Sequence, residues 1–207
     1  MIAEIRKRMM VWDSPIFVTH WLLAICFVGA VLTQESEKFR LVHVTMGYTM
    51  LGIVGFRLIW GFVGSKYSRF KTIKPRFSKA RENIQAILSG HKEFSLGLNA
   101  FGFLAAYALM GLVLLVSASG YLVFNEIGPE LISEFHELMG DSLIRVVVIH
   151  VGSIVLNALY QYLQKTNAGV ASRVGVIAQK ARPYKWVTGI ILLMVIYFWG
   201  LQFKIWP

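Results

Sequence analysis

The sequence predicts an all-α integral membrane protein, a four-helix transmembrane bundle followed by a fifth, C-terminal transmembrane helix. Three observations predict it. Hydrophobic residues make up 56% of the 207 positions and the mean hydropathy is +0.59. Five apolar runs are each long enough to cross ~30 Å of hydrocarbon, and they are too long for barrel strands. Basic residues gather in the segments between those runs. The first helix is expected over Ile16 to Thr33, the second over Leu41 to Val63, the third over Leu98 to Phe124, the fourth over Pro129 to Leu163, and the fifth over Trp186 to Trp206. The N-terminus shows no short apolar region followed by a small-residue cleavage site, and the first run holds His20 and Trp21, so it is expected to stay in the mature protein.

Charge sets the expected orientation. Arg6, Lys7 and Arg8 precede helix 1. Lys66, Arg69, Lys71, Lys74, Arg76, Lys79, Arg81 and Lys92 lie between helices 2 and 3, and Lys165, Arg173, Lys180, Arg182 and Lys185 between helices 4 and 5. By the positive-inside rule these residues face the cytoplasm, which puts the N-terminus inside and, after five crossings, the C-terminus in the periplasm of a bacterial inner membrane. The net charge of +10 is explained by topology and anionic lipid, and no nucleic-acid partner is expected. In the basic segment, Ser78 to Ser89 carries Ala80, Ile84, Ile87 and Leu88 as an apolar stripe with Gly90 as a stop, which predicts a short helix on the cytoplasmic surface; His91 follows as a solvated residue. The single cysteine, Cys26, excludes a disulfide framework and covalent heme attachment through a Cys-x-x-Cys-His motif.

Four histidines carry the chemistry. His20 lies early in helix 1 and His43 early in helix 2, while helix 4 carries both His136 and His150. The fourteen residues between the last two return to within roughly 40° of one helix face, about 21 Å further along the axis. Two histidines so far apart cannot share a zinc ion. They suit two stacked hemes, each held noncovalently between two helices, for one-electron transfer at iron. Gly47 and Gly140 each stand one turn after a histidine, which leaves room for a porphyrin edge. Helical depth pairs His43 with His136 at an outer heme and His20 with His150 at an inner one. Arg57, fourteen residues after His43 on the same face, is expected to meet an inner-heme propionate; the competing reading is a side chain snorkelling to cytoplasmic headgroups. Arg145 sits about 180° from His136 and is expected to pair with Asp141.

From Val11 to about Gln164 the chain resembles the prokaryotic cytochrome b561 family, which includes the b-type cytochrome subunits of membrane-bound nickel-iron hydrogenases. The resemblance rests on Val11-Trp12-Asp13 with His20-Trp21, on Val42-His43-Val44-Thr45-Met46-Gly47-Tyr48, on Phe56-Arg57-Leu58-Ile59-Trp60-Gly61-Phe62-Val63-Gly64-Ser65, and on His136-Glu137-Leu138 with His150. It implies that His20, His43, His136 and His150 ligate two b hemes and that electrons exchange with membrane quinone. Two positions depart from the family pattern. Phe17 stands where an arginine is frequent, and the segment before helix 3 reads Gly97-Leu98-Asn99-Ala100 in place of Gly-His-Asn-Pro. The fifth helix lies outside the four-helix pattern, and its sequence leaves open whether it packs on the bundle, meets a second copy or anchors a partner.

The expected organisation is therefore a di-heme cytochrome b domain over residues 1–165, then a linker and additional transmembrane helix over 166–207. The expected function is electron transfer between the quinone pool and a redox partner, either a periplasmic c-type cytochrome or a hydrogenase-like protein. The alternatives are a superoxide:quinone oxidoreductase acting without a protein partner and a non-redox membrane anchor or scaffold. The outer segments Gln34 to Val42 and Phe124 to Glu137 contain Glu35, Glu37, Glu126, Glu130, Glu134 and Glu137 against Lys38 and Arg40, which favours a basic partner over a small anion.

Overall fold

A computed structural model describes residues 13–65, 68–70, 78, 81–82, 85, 89, 94–168 and 184–205. The described elements are α1 (Ser14–Thr33), a short 3-10 turn (Glu37–Phe39), α2 (Arg40–Val63), α3 (Phe94–Phe124), α4 (Leu131–Ala168) and α5 (Lys185–Gln202). Each of the five helices contains a stretch long and apolar enough to cross a membrane, and no strand occurs among the described residues. Ser78, Arg81, Glu82 and Gln85 are helical and exposed, as expected for a surface helix; its apolar stripe, Gly90 and His91 lie outside the described residues, as do Val11, Trp12 and Trp206. The chain divides into two compact units, one holding α1, α2 and α5, the other α3 and α4.

In the first unit, α1 begins two residues earlier than the apolar run suggests because Asp13 caps it. Its carboxylate accepts from the Ile16 N–H at 3.1 Å, and Pro15 occupies the first turn, where no intrahelical donor is needed. Beside the larger Met50, Ile53 and Val54, the buried positions of the α1–α2 pair include small or hydroxylated residues, Thr19, Cys26 and Ala30 on α1 and Thr45, Thr49 and Gly61 on α2. Such residues let membrane helices approach closely, and the threonine hydroxyls donate to carbonyls four residues back (Thr19 to Pro15, Thr45 to Leu41, Thr49 to Thr45, each 2.7 Å). Trp21, Ile25, Leu32, Ile59 and Phe62 are exposed, as lipid-facing side chains should be.

Helix α5 packs on both members of this pair. Thr188 Oγ1 donates to Ser14 Oγ at 2.9 Å, Trp199 Nε1 donates to Thr49 Oγ1 at 2.8 Å, and Tyr184 meets Trp60 edge-on with ring centroids 5.4 Å apart. The start of α5 thus lies at the same end of the unit as the start of α1, and its C-terminus lies at the other end. Of the roles the sequence left open for the fifth helix, packing on helices of its own chain is the one these contacts show. A Schellman motif closes it, with Lys204 left-handed (φ 52°) and the Ile205 N–H bonded to the Gly200 carbonyl.

The second unit is an α3–α4 hairpin. Its turn is a second Schellman motif: Glu126 is left-handed (φ 57°), its N–H reaches the Val123 carbonyl, and the Ile127 N–H reaches Leu122 at 2.9 Å. Gly128 has φ 97°, a conformation suited to glycine. This turn delays α4 to Leu131, two residues after the expected start. At the other end of the hairpin, Gly97 to Ala100 is helical and not a connecting loop, because α3 starts at Phe94. Helix α4 also continues to Ala168, past the expected end at Leu163. The expected Arg145–Asp141 pair forms, at 3.0 Å on an exposed surface.

Asp13 is 1% exposed and accepts three hydrogen bonds, from Ile16 N, Trp60 Nε1 (3.1 Å) and Ser68 Oγ (2.5 Å). Burial pushes its carboxyl up, but the hydrogen bonds it accepts, that of Ser68 foremost, prevail and hold it below the ordinary carboxylate value. Its stabilisation is therefore complete above the ordinary carboxylate range and is lost as pH falls through the lowered folded value. Asp13→Ala is expected to destabilise the first unit by about 2–4 kcal/mol. Asp13→Asn should flatten the acid limb of a thermal-unfolding pH series in detergent; an unchanged acid limb would refute the linkage.

Candidate functional site

The histidines on α4 bond to backbone carbonyls on α3. His136 Nδ1 lies 3.0 Å from the Val116 carbonyl and 3.1 Å from Ser119 Oγ, and His150 Nδ1 lies 3.1 Å from the Gly102 carbonyl. Gly102 and Val116 are fourteen residues apart, the same interval that separates His136 from His150. One antiparallel register therefore serves both histidines, and each imidazole meets a carbonyl of α3 at its own depth. The interval on α4 was legible in the sequence. The matching acceptors on α3 were not, because a backbone carbonyl has no residue signature.

The first unit repeats the device. His43 Nδ1 lies 2.9 Å from the Ala30 carbonyl of α1, and Asp13 meets Trp60 seventeen residues away at the other end of the same helix pair. A carbonyl can only accept, so Nδ1 of His43, His136 and His150 carries the proton. The lone pair is then on Nε2, the tautomer that a metal-ligating imidazole needs. His20 is exposed on α1, its ring edge-on to Trp21 at 6.0 Å.

Arg57 points toward the C-terminal end of α2. Its Nη1 donates to the Ser68 carbonyl at 3.2 Å, and its guanidinium lies over the Phe70 ring at 5.2 Å. The segment after α2 is strapped down around it: Ser68 Oγ reaches Asp13, Ser65 Oγ bonds Ser68 Oγ at 2.8 Å, and Arg69 Nε donates to the Gly64 carbonyl at 2.8 Å. Phe70 lies against Gly61, where any Cβ would overlap its ring. The cation expected at depth thus has its described contacts with this strap, a partner set that spacing along α2 alone did not reveal.

The profile of the prokaryotic cytochrome b561 family matches residues 11–165. The chain belongs to this family. Among curated relatives it is similar to the probable Ni/Fe-hydrogenase 1 B-type cytochrome subunit of Escherichia coli strain K12 and to that of strain O157:H7, each 28% identical over 88 residues, covering 34% of this chain and 37% of the relative. The match thus spans little more than a third of those relatives. No solved structure matches. Membership in the b561 family implies heme b, and the residues fit it. Three histidines present the ligating tautomer, and a Cβ at Gly47 or Gly140, one turn after His43 and His136, would meet nothing within 4 Å. As a b561-type cytochrome the chain is a multi-pass membrane protein of electron transfer.

Gly61→Ala is expected to force Phe70 from its seat and cost about 1–3 kcal/mol. In the double variant Gly61→Ala/Phe70→Ala the overlap is gone, so the summed single effects should exceed the measured loss in thermal unfolding. Strict additivity would mean that the ring does not lie on Gly61.

Proposed function

We propose that this b561-type chain is a di-heme cytochrome that carries electrons across the bacterial inner membrane between the quinone pool and a redox partner. His43 and His136 are the axial ligands of the outer heme, and His20 and His150 those of the inner one. The observation that supports this most is the shared fourteen-residue register, in which two histidines on one helix each donate Nδ1–H to a carbonyl of α3. Heme b, when bound, supplies a one-electron couple at iron whose potential follows ligand basicity, polarity and access.

The chain's residues have separate tasks in this reading. The Nδ1–H bonds hold each ring in orientation and raise the basicity of Nε2. His20, exposed on its unit, is accessible to a group outside that unit. Arg57 supplies positive charge for an inner-heme propionate. The cationic segments favour a cytoplasmic N-terminus, and α5, starting at the α1 end of its unit, then leaves the C-terminus periplasmic. Quinone is the membrane carrier that the sequence resemblance implies.

The partner follows from two features. The hydrogenase cytochrome subunits among the relatives favour a hydrogenase-like protein. Around the α3–α4 turn, Glu126, Glu130, Glu134 and Glu137 are all exposed with no lysine or arginine between Phe124 and Glu137. That surface steers a basic protein such as a c-type cytochrome and repels superoxide, which favours the relay over the oxidase.

Purified protein is expected to yield two hemes per chain. His20→Ala and His150→Ala should each remove one heme, and His43→Ala and His136→Ala the other, as read from extractable heme and reduced-minus-oxidised spectra. A single heme in the unaltered protein, or loss of the same heme from all four variants, would overturn the pairing.

A further inference from the structure

His136 is held differently from an imidazole that merely touches a neighbouring backbone. Its Nδ1 faces two oxygens, the Val116 carbonyl at 3.0 Å and Ser119 Oγ at 3.1 Å. The Ser119 hydroxyl lies 2.8 Å from the Leu115 carbonyl and 3.1 Å from the Val116 carbonyl. Its proton therefore goes to the backbone of α3 in either case, and its lone pair faces the histidine. Nδ1–H is shared between the two acceptors. The next residue, Gly120, lies beneath the same ring: a Cβ there would stand 2.8 Å from His136 Cε1 and 3.3 Å from Nδ1. Alanine at this position would have to push the imidazole aside.

We propose that Ser119 and Gly120 are positioning residues for His136, the serine as a second acceptor for Nδ1–H and the glycine as the gap into which the ring fits, so that together they set the potential of the heme His136 ligates. The inference rests on the reading of His136 as an axial ligand. An added acceptor at Nδ1–H draws the proton away from the ring and makes Nε2 a stronger donor, which favours oxidised iron. Removing it should therefore raise the potential of that heme. The serine's other bonds are to its own helix and persist in threonine, whose hydroxyl has the same i−4 acceptor available.

The test is a redox titration with low-temperature EPR of the heme-loaded protein. Ser119→Ala should retain both hemes, shift one potential upward, leave the other in place, and move the low-spin EPR signal of the same heme. Ser119→Thr should restore the original potential. Gly120→Ala should alter the EPR signal of that heme or reduce its occupancy. Assignment comes from His136→Ala, which identifies the heme that ligand holds. Unchanged potentials in Ser119→Ala with both hemes present, or a shift confined to the heme that survives His136→Ala, would overturn the proposal. Two hemes of unaltered spectrum in His136→Ala would instead show that the ligand assignment itself is wrong, and the two failures are thereby distinguished.

Discussion

In hydrocarbon an imidazole N–H has no water to bond, and three of the histidines satisfy it on a carbonyl of the adjacent helix. Much of the chain's chemistry depends on that constraint. Because the acceptor is a carbonyl, the tautomer is fixed; because it belongs to another helix, each bond also fixes the depth at which two helices meet. The α3–α4 hairpin shows both effects, with bonds fourteen residues apart on each helix. A shift of one residue along α4 would turn both histidines away by ~100°.

Packing in each unit sustains the register. In the first, Asp13 ties the start of α1 to Trp60 near the end of α2 and to Ser68 beyond it, while His43 ties the other end to Ala30. Helix α5 adds two further anchors, at Ser14 and Thr49. In the second, the Schellman turn at Glu126 sets where α4 begins and hence where His136 stands relative to Val116. Small residues are used where backbones or rings approach closely: Ala30 beside His43, Gly120 beneath His136, Gly61 beneath Phe70.

Much of this was legible in the residues alone. Five apolar runs gave the five helices, and the His136–His150 interval marked one face of α4. The misplaced boundaries have physical causes: a cap begins α1 before its apolar run, a left-handed glycine delays α4, and α4 outlasts its lipid-compatible stretch because helical hydrogen bonds need no lipid. The Ala30, Gly102 and Val116 carbonyls were invisible, since every residue has one. Ser119-Gly120 left a faint trace, a hydroxyl beside a missing side chain in an apolar run, but nothing in α3 alone tied it to His136. The strap contacts of Arg57 depend on a chain reversal after α2 that helical spacing does not encode.

The proposal rests on axial ligation of both irons by imidazoles alone, three of the four held by Nδ1 so that Nε2 faces the metal. Near-infrared magnetic circular dichroism of the oxidised protein reads axial ligation directly. The account predicts low-spin bands of bis-imidazole type for all of the heme; a histidine–methionine or a high-spin, five-coordinate signature from either heme would contradict it.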